Sequence, residues 1–446
     1  MVILKGRGWV APLCWVAVLL DGFDAVVLGA VMSSMIDDPE FALTAASGTT
    51  VATVGLVGMM IGALGMGWAT DKFGRRKLLI GAVILFSIFT FGMAFVDSIF
   101  LFGLLRFLAG VGLGGCLPTG ISMVTEFAGR GRTGKSTTLM MTGYHVGAVL
   151  TAALAIVVVQ NINWHAMFII GALPALVLVP LMYFYLPESP DYLLSKGRVE
   201  DARRVSEHYG LDFSHQEQVE RELRAAAVAG TVDGTGPGST AQADAPAKAE
   251  PRGAATVLSG QYQRNTVLVW ITSFMGLLLV YGLNTWLPQI MRSAGYDLGN
   301  ALGFLLILNI GAVVGLVIAG RVADRVTPRV AAVVWFIGAG ALLAALAIKL
   351  PLLGIYAMVF VTGCFVFSAQ VLVYAFCAAN YPTKVRATAL GMAAGIGRLG
   401  AISGPILGGA VLAAGVAHPW GFFGFAIAAI LGGGAMAGTK TLQQGD

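Results

Sequence analysis

Ionisable residues stand in this sequence where water is scarce. Asp21, Asp24, Arg106, His145 and Arg398 each fall inside a long apolar run. Charge is costly to hold in such a run, so its presence there points to a task. Asp21 and Asp24 are spaced i,i+3 and share a helix face. Two close carboxylates resist joint ionisation, and an approaching guanidinium has the reverse effect. A carboxylate that exchanges an arginine for a proton is a minimal coupling device. Asp21 and Asp24 therefore read as a proton site with Arg106 as counter-ion. A static ion pair is the competing reading, but two acids beside one base leave a negative charge over. Arg398 stands in Gly397-Arg398-Leu399-Gly400 with no intramembrane acid evident in its half. Its planar fork suits a substrate carboxylate; helix carbonyls are its other possible partners. His145, with Tyr144 beside it, fits a bond between helices as well as a substrate or proton ligand. The run Tyr281 to Pro288 sets Tyr281, Asn284 and Trp286 among a glycine and a proline. Such a run predicts a discontinuous helix at a binding site, with Trp286 serving there or in an interfacial aromatic belt.

Composition says what must position these groups. Of 446 residues, 11% are charged and 57% hydrophobic, where a soluble domain carries about 25% charge. Mean hydropathy is +0.81. A soluble enzyme, a disordered chain and a nucleic-acid binder are excluded, and a polytopic helical membrane protein is indicated. Cys14, Cys116, Cys364 and Cys377 lie in apolar runs without a C-x-x-C pair, so neither disulfide nor metal site is expected. No P-loop, G-x-S-x-G elbow or metal cluster appears, so an enzyme, a cofactor and ATP drive are not expected.

A bilayer core of about 30 Å takes about 20 apolar residues. Spans are predicted at roughly 9–35, 45–70, 78–96, 98–126, 135–159, 164–186, 265–291, 299–320, 330–349, 351–379, 387–414 and 419–438. The first run is too long for a signal peptide and reads as a retained span. Lys72, Arg75, Arg76, Lys77, Arg130, Arg132, Lys135, Arg321, Arg325, Arg329, Lys384 and Arg386 crowd alternate loops. The other loops hold only Arg292 and Lys349 as bases and are acidic instead. Both termini are thus expected in the cytoplasm, with the chain in the cell (inner or plasma) membrane. At 1.5 Å rise per residue, Asp21 and Arg106 sit about 18 Å from the inner side, and His145 and Arg398 about 15 Å. All are near mid-depth. The polar stretch 187–264 divides the spans six and six. Ser189 and Pro190 there suit a helix N-cap and first turn. Glu217/Arg221 and Glu220/Arg224 suggest a solvated helix before a flexible linker. The fold expected is all-α and polytopic, with twelve transmembrane helices in two pseudo-symmetric six-helix halves. Its parts are a bundle over 1–186, a cytoplasmic loop over 187–264 and a bundle over 265–446.

The halves show a repeat. Gly67-Trp68-Ala69-Thr70-Asp71-Lys72-Phe73-Gly74-Arg75-Arg76 follows the second span. Gly320 to Arg329, with Asp324 in the place of Asp71, follows the eighth at an offset of 253 residues. Arg132 and Arg386 correspond at an offset of 254. A parallel repeat implies halves about an axis along the membrane normal, rocking around a central site.

This loop and the six-plus-six layout resemble the major facilitator superfamily. Asp71 near the end of its span can pair with Arg75 or cap a neighbouring helix, which would bias the two access states. The gating group comprises Gly67, Asp71, Arg75, Arg76, Asp324 and Arg386. Asp21-Gly22-Phe23-Asp24 resembles the D-G-x-D signature of the aromatic acid:H+ symporters, as do Tyr281–Pro288 and the segment Tyr381 to Thr388. The resemblance implies proton-driven import of an aromatic carboxylate such as a hydroxybenzoate, benzoate or gentisate. It puts functional weight on Asp21, Asp24, Asp71, Arg75 and Arg386. The residues alone reach only proton-coupled transport of a small anion. The expected partners are a small aromatic acid, protons and the bilayer, with no nucleic acid and a monomer as the working unit. Proton antiport of aromatic compounds or drugs is an alternative, since Gly400-x-x-x-Gly404-Pro405-x-x-Gly408-Gly409 mimics an exporter motif. A transporter-like receptor is another.

Overall fold

The computed structural model describes residues 8–127, 133–211, 213, 257, 258, 260–348, 350–381 and 383–440; within helices, the side chains of residues 66–68, 71, 133–139, 141, 261, 383, 384 and 387 are outside this description. Among the described residues all regular structure is helical. The first half holds α1 (Val10–Asp37), α2 (Ala45–Phe73), α3 (Arg75–Met93), α4 (Ile99–Phe127), α5 (Thr133–Asn161), α6 (His165–Ala172) and α7 (Ala175–Tyr185). Two short helices follow, α8 (Pro190–Ser195) and α9 (Val199–Tyr209). The second half holds α10 (Gly260–Ser293), α11 (Leu298–Arg325), α12 (Pro328–Ala345), α13 (Leu352–Asn380), α14 (Thr383–Ala413) and α15 (Ala417–Ala437). With α6 and α7 counted as one, 12 helices are long and apolar enough to cross a membrane. Apolar run length dictates them, because a backbone in hydrocarbon must bond itself.

Polar residues fix the helix ends. Thr44 and Ser47 form a capping box on α2, Asp297 caps α11 and Thr327 caps α12. Ser189 accepts from the Tyr192 N–H with Pro190 in the first turn of α8, as the sequence predicts. The proposed helix around Glu217–Arg224 lies outside the described residues. One expectation fails. The run through Gly282 and Pro288 is not discontinuous; α10 continues unbroken to Ser293. Pro288 lies close enough to the helix end to remove a bond without halting it. The interruption falls instead in the sixth span, at Leu173-Pro174 between α6 and α7.

Within the first half α2 packs on α4 and α1 on α5; within the second, α10 packs on α14 and α11 on α13. Small residues permit this, since a Cβ at Gly110 or Gly114 of α4 would strike the Gly55 or Met59 carbonyl of α2. The halves meet through α1 on α10, α2 on α14 and α5 on α11. These contacts use the helix ends far from the chain termini. Ser33 donates to Gln289 at 2.7 Å, Arg292 pairs with Asp37 at 2.5 Å, and Gly409 abuts Thr49. On the terminal face the described contacts include pairs within each half, as when Arg75 pairs with Glu126 and Asn265 donates to the Lys440 carbonyl at 2.7 Å. Among the described residues, then, these polar and glycine contacts join the halves at the face opposite the termini.

Candidate functional site

Helix α1 carries the acids to the boundary between the halves. Gly22 lets it lie against the Tyr144 carbonyl of α5, and Gly29 against the Asn284 carbonyl of α10. Any larger side chain at either position would part these backbones. The glycine of the D-G-x-D run is thus what brings the acids close to α5.

Asp21 and Asp24 are each 2% exposed, yet their surroundings differ. The Arg106 Nη1 of α4 donates to Asp24 Oδ2 at 2.5 Å, and its Nη2 donates to the Asp24 carbonyl at 3.1 Å. Thr90 of α3 adds a hydroxyl to Asp24 Oδ1 at 3.2 Å. Gly55 of α2 leaves room for the arginine stem, since a Cβ there would come within 2.9 Å of Arg106 Cγ. Charge-assisted bonds of this kind are the strong ones. The first half alone supplies every member of the group.

Asp21 Oδ1 is buried and accepts no hydrogen bond. Among the described residues Asp21 makes no ion pair; Arg398 of α14, in the other half, lies within electrostatic reach of it. Gly397 and Gly400, which flank it, seat α14 on Ser273 and the Phe274 carbonyl of α10. Arg398 Nη1 lies 3.5 Å from the Tyr281 hydroxyl, and Tyr144 of the first half is within electrostatic reach of both. Tyr374 of α13 is within electrostatic reach of Arg398, and Gln370, one turn before it, donates to Ser273 at 2.9 Å. Tyr144, Tyr281, Tyr374 and Arg398 are all partly exposed. A guanidinium ringed by tyrosines can grip a carboxylate and stack an aromatic ring.

The other candidate residues are dispersed. His145 is buried, its ring 6.4 Å from Phe367 of the second half, and its Nδ1 has no partner. Asn284 accepts from Asn309 at 3.1 Å, one turn from Tyr281 along α10. Trp286 is fully buried; its N–H donates to the Pro405 carbonyl at 2.8 Å and its ring packs on Gly408. The exporter-like glycine run of α14 thus serves as a seat for α10.

At the terminal face Arg75 pairs with Glu126 of α4. Ser189 also donates to Glu126, at 2.5 Å, and Glu188 Oε1 accepts the Arg76 N–H at 3.0 Å. Burial pushes the Glu188 carboxyl above its ordinary range, against these hydrogen bonds. Arg76 also donates to the Tyr183 carbonyl. The Asp71 and Gly67 side chains lie outside the described residues, as does Arg132. Asp324 is exposed, and Arg386 donates to the Tyr381 carbonyl at 3.2 Å. Sequence reasoning missed Thr90, Tyr374, Gln370 and Glu126. The first three are single polar residues in apolar runs, which was a usable signal; Glu126 ends its run and looks like a loop charge.

Comparison with known proteins agrees with this architecture. The model of the Major Facilitator Superfamily matches residues 14–405. A benzoate transport protein of Acinetobacter baylyi is 33% identical, the alignment covering 93% of this chain and 85% of that protein. A gentisate transporter of Corynebacterium glutamicum is 31% identical over 99% of this chain and 89% of its own length. A 4-hydroxybenzoate transporter of Pseudomonas putida is 30% identical over 93% and 87%. Among solved structures, the partially occluded, inward-open xylose transporter XylE of E. coli shares the fold, with a TM-score of 0.70 at 17% identity over 95% of this chain and 97% of that one. With relatives of this similarity along nearly its whole length, the chain belongs to the Major Facilitator Superfamily, in the family of transporters that includes those for benzoate, gentisate and 4-hydroxybenzoate.

Proposed function

We propose that the protein imports a small aromatic carboxylate together with protons, by alternating access around the Arg398 site. The aromatic acid is supported by the relatives, whose names specify benzoate, gentisate and 4-hydroxybenzoate. The observation that carries the coupling is Asp21, a buried carboxylate whose Oδ1 accepts no hydrogen bond, on a helix that packs against both halves. When the halves rock, its surroundings change, and a carboxylate left alone in apolar surroundings takes up a proton.

Arg398 holds the substrate carboxylate, with Tyr281, Tyr144 and Tyr374 around the ring. His145 and Asn284 flank the path. Asp21, Asp24 and Arg106 form the charge group on α1 and α4. Arg75, Arg76 and Glu126 set the relative stability of the two access states from the terminal face, with Asp71 and Gly67 in the same loop. The basic loops support a cytoplasmic terminal face in the plasma membrane. The protein works as a monomer without a cofactor, and its closure at the opposite face corresponds to a carrier open to the cytoplasm.

Uptake of labelled benzoate and 4-hydroxybenzoate into proteoliposomes tests this reading. An imposed pH gradient, acidic on the side from which substrate enters, should drive accumulation. Flux that ignores the gradient would reduce the protein to a facilitator, and outward drug flux coupled to inward protons would favour antiport.

A further inference from the structure

We propose that the outer wall of the first half carries a lipid site: a groove between α3 and the α6–α7 pair holds one acyl chain of an anionic phospholipid, whose phosphate rests at Arg76 and Lys77. The site lies apart from the central one and does not depend on what is transported.

A cavity of about 510 Å³ runs between these helices. Ligand pockets are typically about 300–1,000 Å³. Ile84, Ile88 and Phe91 line it from α3, and Leu173 and Leu176 from the α6–α7 side. Ile88 is 61% exposed and Leu176 72%. Both belong to membrane spans, so the groove opens to the bilayer. Among the described lining residues only Ser87 has a polar side chain, and its hydroxyl is buried. A carboxylate placed there would meet no cation in the wall, so hydrocarbon fits and the substrate anion does not.

Charge stands at one end of the groove. On α3, Lys77, Gly81, Ile84, Ile88 and Phe91 follow at intervals of three or four residues and share a face. On α7, Tyr183 lies two turns from Leu176 on the same face. Arg76 joins the two helices at this end. Its Nη2 donates to the Tyr183 carbonyl at 2.5 Å, its guanidinium lies 5.5 Å from the Tyr183 ring, and its Nε has no partner. Arg75 is paired with Glu126, and Glu188 accepts the Arg76 N–H. Lys77 is exposed and, among the described residues, makes no ion pair. It is the base left over for an anion.

Length favours a whole lipid over a loose hydrocarbon. At 1.5 Å rise per residue, Lys77 and Phe91 are about 21 Å apart along α3. One leaflet with its headgroups is about 20–22 Å thick. A phosphate at Lys77 therefore brings the end of its chain to Phe91. Gly81 leaves the path between lysine and groove clear, since a Cβ there would meet nothing within 4 Å.

Native mass spectrometry of the purified full-length protein, mixed with equal amounts of phosphatidylglycerol and phosphatidylcholine of the same chains, tests the site. The wild type should retain one phosphatidylglycerol, favoured about fivefold, the effect of one lysine near an anionic headgroup. Lys77→Gln, a change at an exposed position, should lose that preference. Gly81→Trp, which fills the path, should lose the bound lipid. Gly434→Trp, at an equally open glycine of α15, should keep it. Phosphatidylglycerol should raise the thermal midpoint of the wild type and of Gly434→Trp, and not that of Gly81→Trp. Equal retention of the two lipids by the wild type would mean ordinary boundary lipid only, and overturns the proposal. Retention by Gly81→Trp at the wild-type level places the lipid elsewhere and overturns it too. A preference that survives in Lys77→Gln removes the headgroup from this corner. Release of the lipid by inorganic phosphate would leave an anion site without a chain, and overturns the groove.

Discussion

The two copies of the repeated loop close equivalent turns by different means. After α2, Arg75 pairs with Glu126, Ser189 donates to the same carboxylate, and Glu188 accepts the Arg76 N–H. That network ties together α3, α4 and the start of α8. After α11, Asp324 and Arg325 are exposed. There the next helix is started by the Thr327 cap with Pro328 behind it, and Arg329 donates to the Ala437 carbonyl at 2.6 Å. Among the described residues, similar spacing has therefore produced a charge network in one half and a capped helix restart in the other. The difference teaches that the acids recruited from elsewhere, Glu126 and Glu188, give the first loop its grip.

Glu126→Gln should break this asymmetry most severely. Initial uptake of 4-hydroxybenzoate, normalised to the amount of protein, should fall about tenfold, equivalent to about 1.4 kcal/mol. Asp324→Asn should cost less than about twofold, about 0.4 kcal/mol. Equal losses would erase the distinction. Exchanging the charges, Arg75→Glu with Glu126→Arg, should recover about 1 kcal/mol of the combined loss in a double-mutant cycle on the same rate. No recovery would mean that Arg75 works through another partner. Thr327→Ala should lower unfolding stability in detergent by about 1 kcal/mol and leave uptake unchanged, the result expected of a cap alone.

The smallest effect concerns Glu188 and pH. Burial raises its carboxyl pKa in the folded protein. Protonation then favours the fold. The stability so contributed is complete below the ordinary glutamate range and is lost as pH rises through the raised value. Glu188→Gln, which mimics the protonated acid, should match the wild type in thermal midpoint at acidic pH and exceed it near neutrality. A wild type that gains on the variant as pH rises would show that hydrogen bonding to the carboxylate outweighs burial.

The spans and the Ser189 cap were legible in the sequence, because apolar run length and a Ser-Pro pair decide them locally; the Thr327 and Asp297 caps were missed, though they are decided just as locally. Depth counting also placed Arg106 level with the acids. It could not say that Arg106 takes Asp24 and leaves Asp21, since that choice depends on Thr90 of α3 and the room left by Gly55 of α2. Arg398 looked like a lone cation, and its neighbour is the Tyr281 hydroxyl on α10, a tertiary contact that spacing along the chain does not reveal. The break expected beside Pro288 is absent, while Pro174 marks a real one. A proline's consequence depends on how much helix lies beyond it and on what packs there.

The Arg292–Asp37 pair joins the halves at the opposite face with side chains 28% and 52% exposed. Dissolved ions reach such a pair, and its attraction weakens within a Debye length of about 8 Å at physiological ionic strength. An exposed pair contributes roughly 0–1 kcal/mol. Gly29 against Asn284 and Trp286 against Gly408 are sealed from the medium and indifferent to its salt. The carrier's resting posture should therefore be nearly the same in dilute and in briny surroundings.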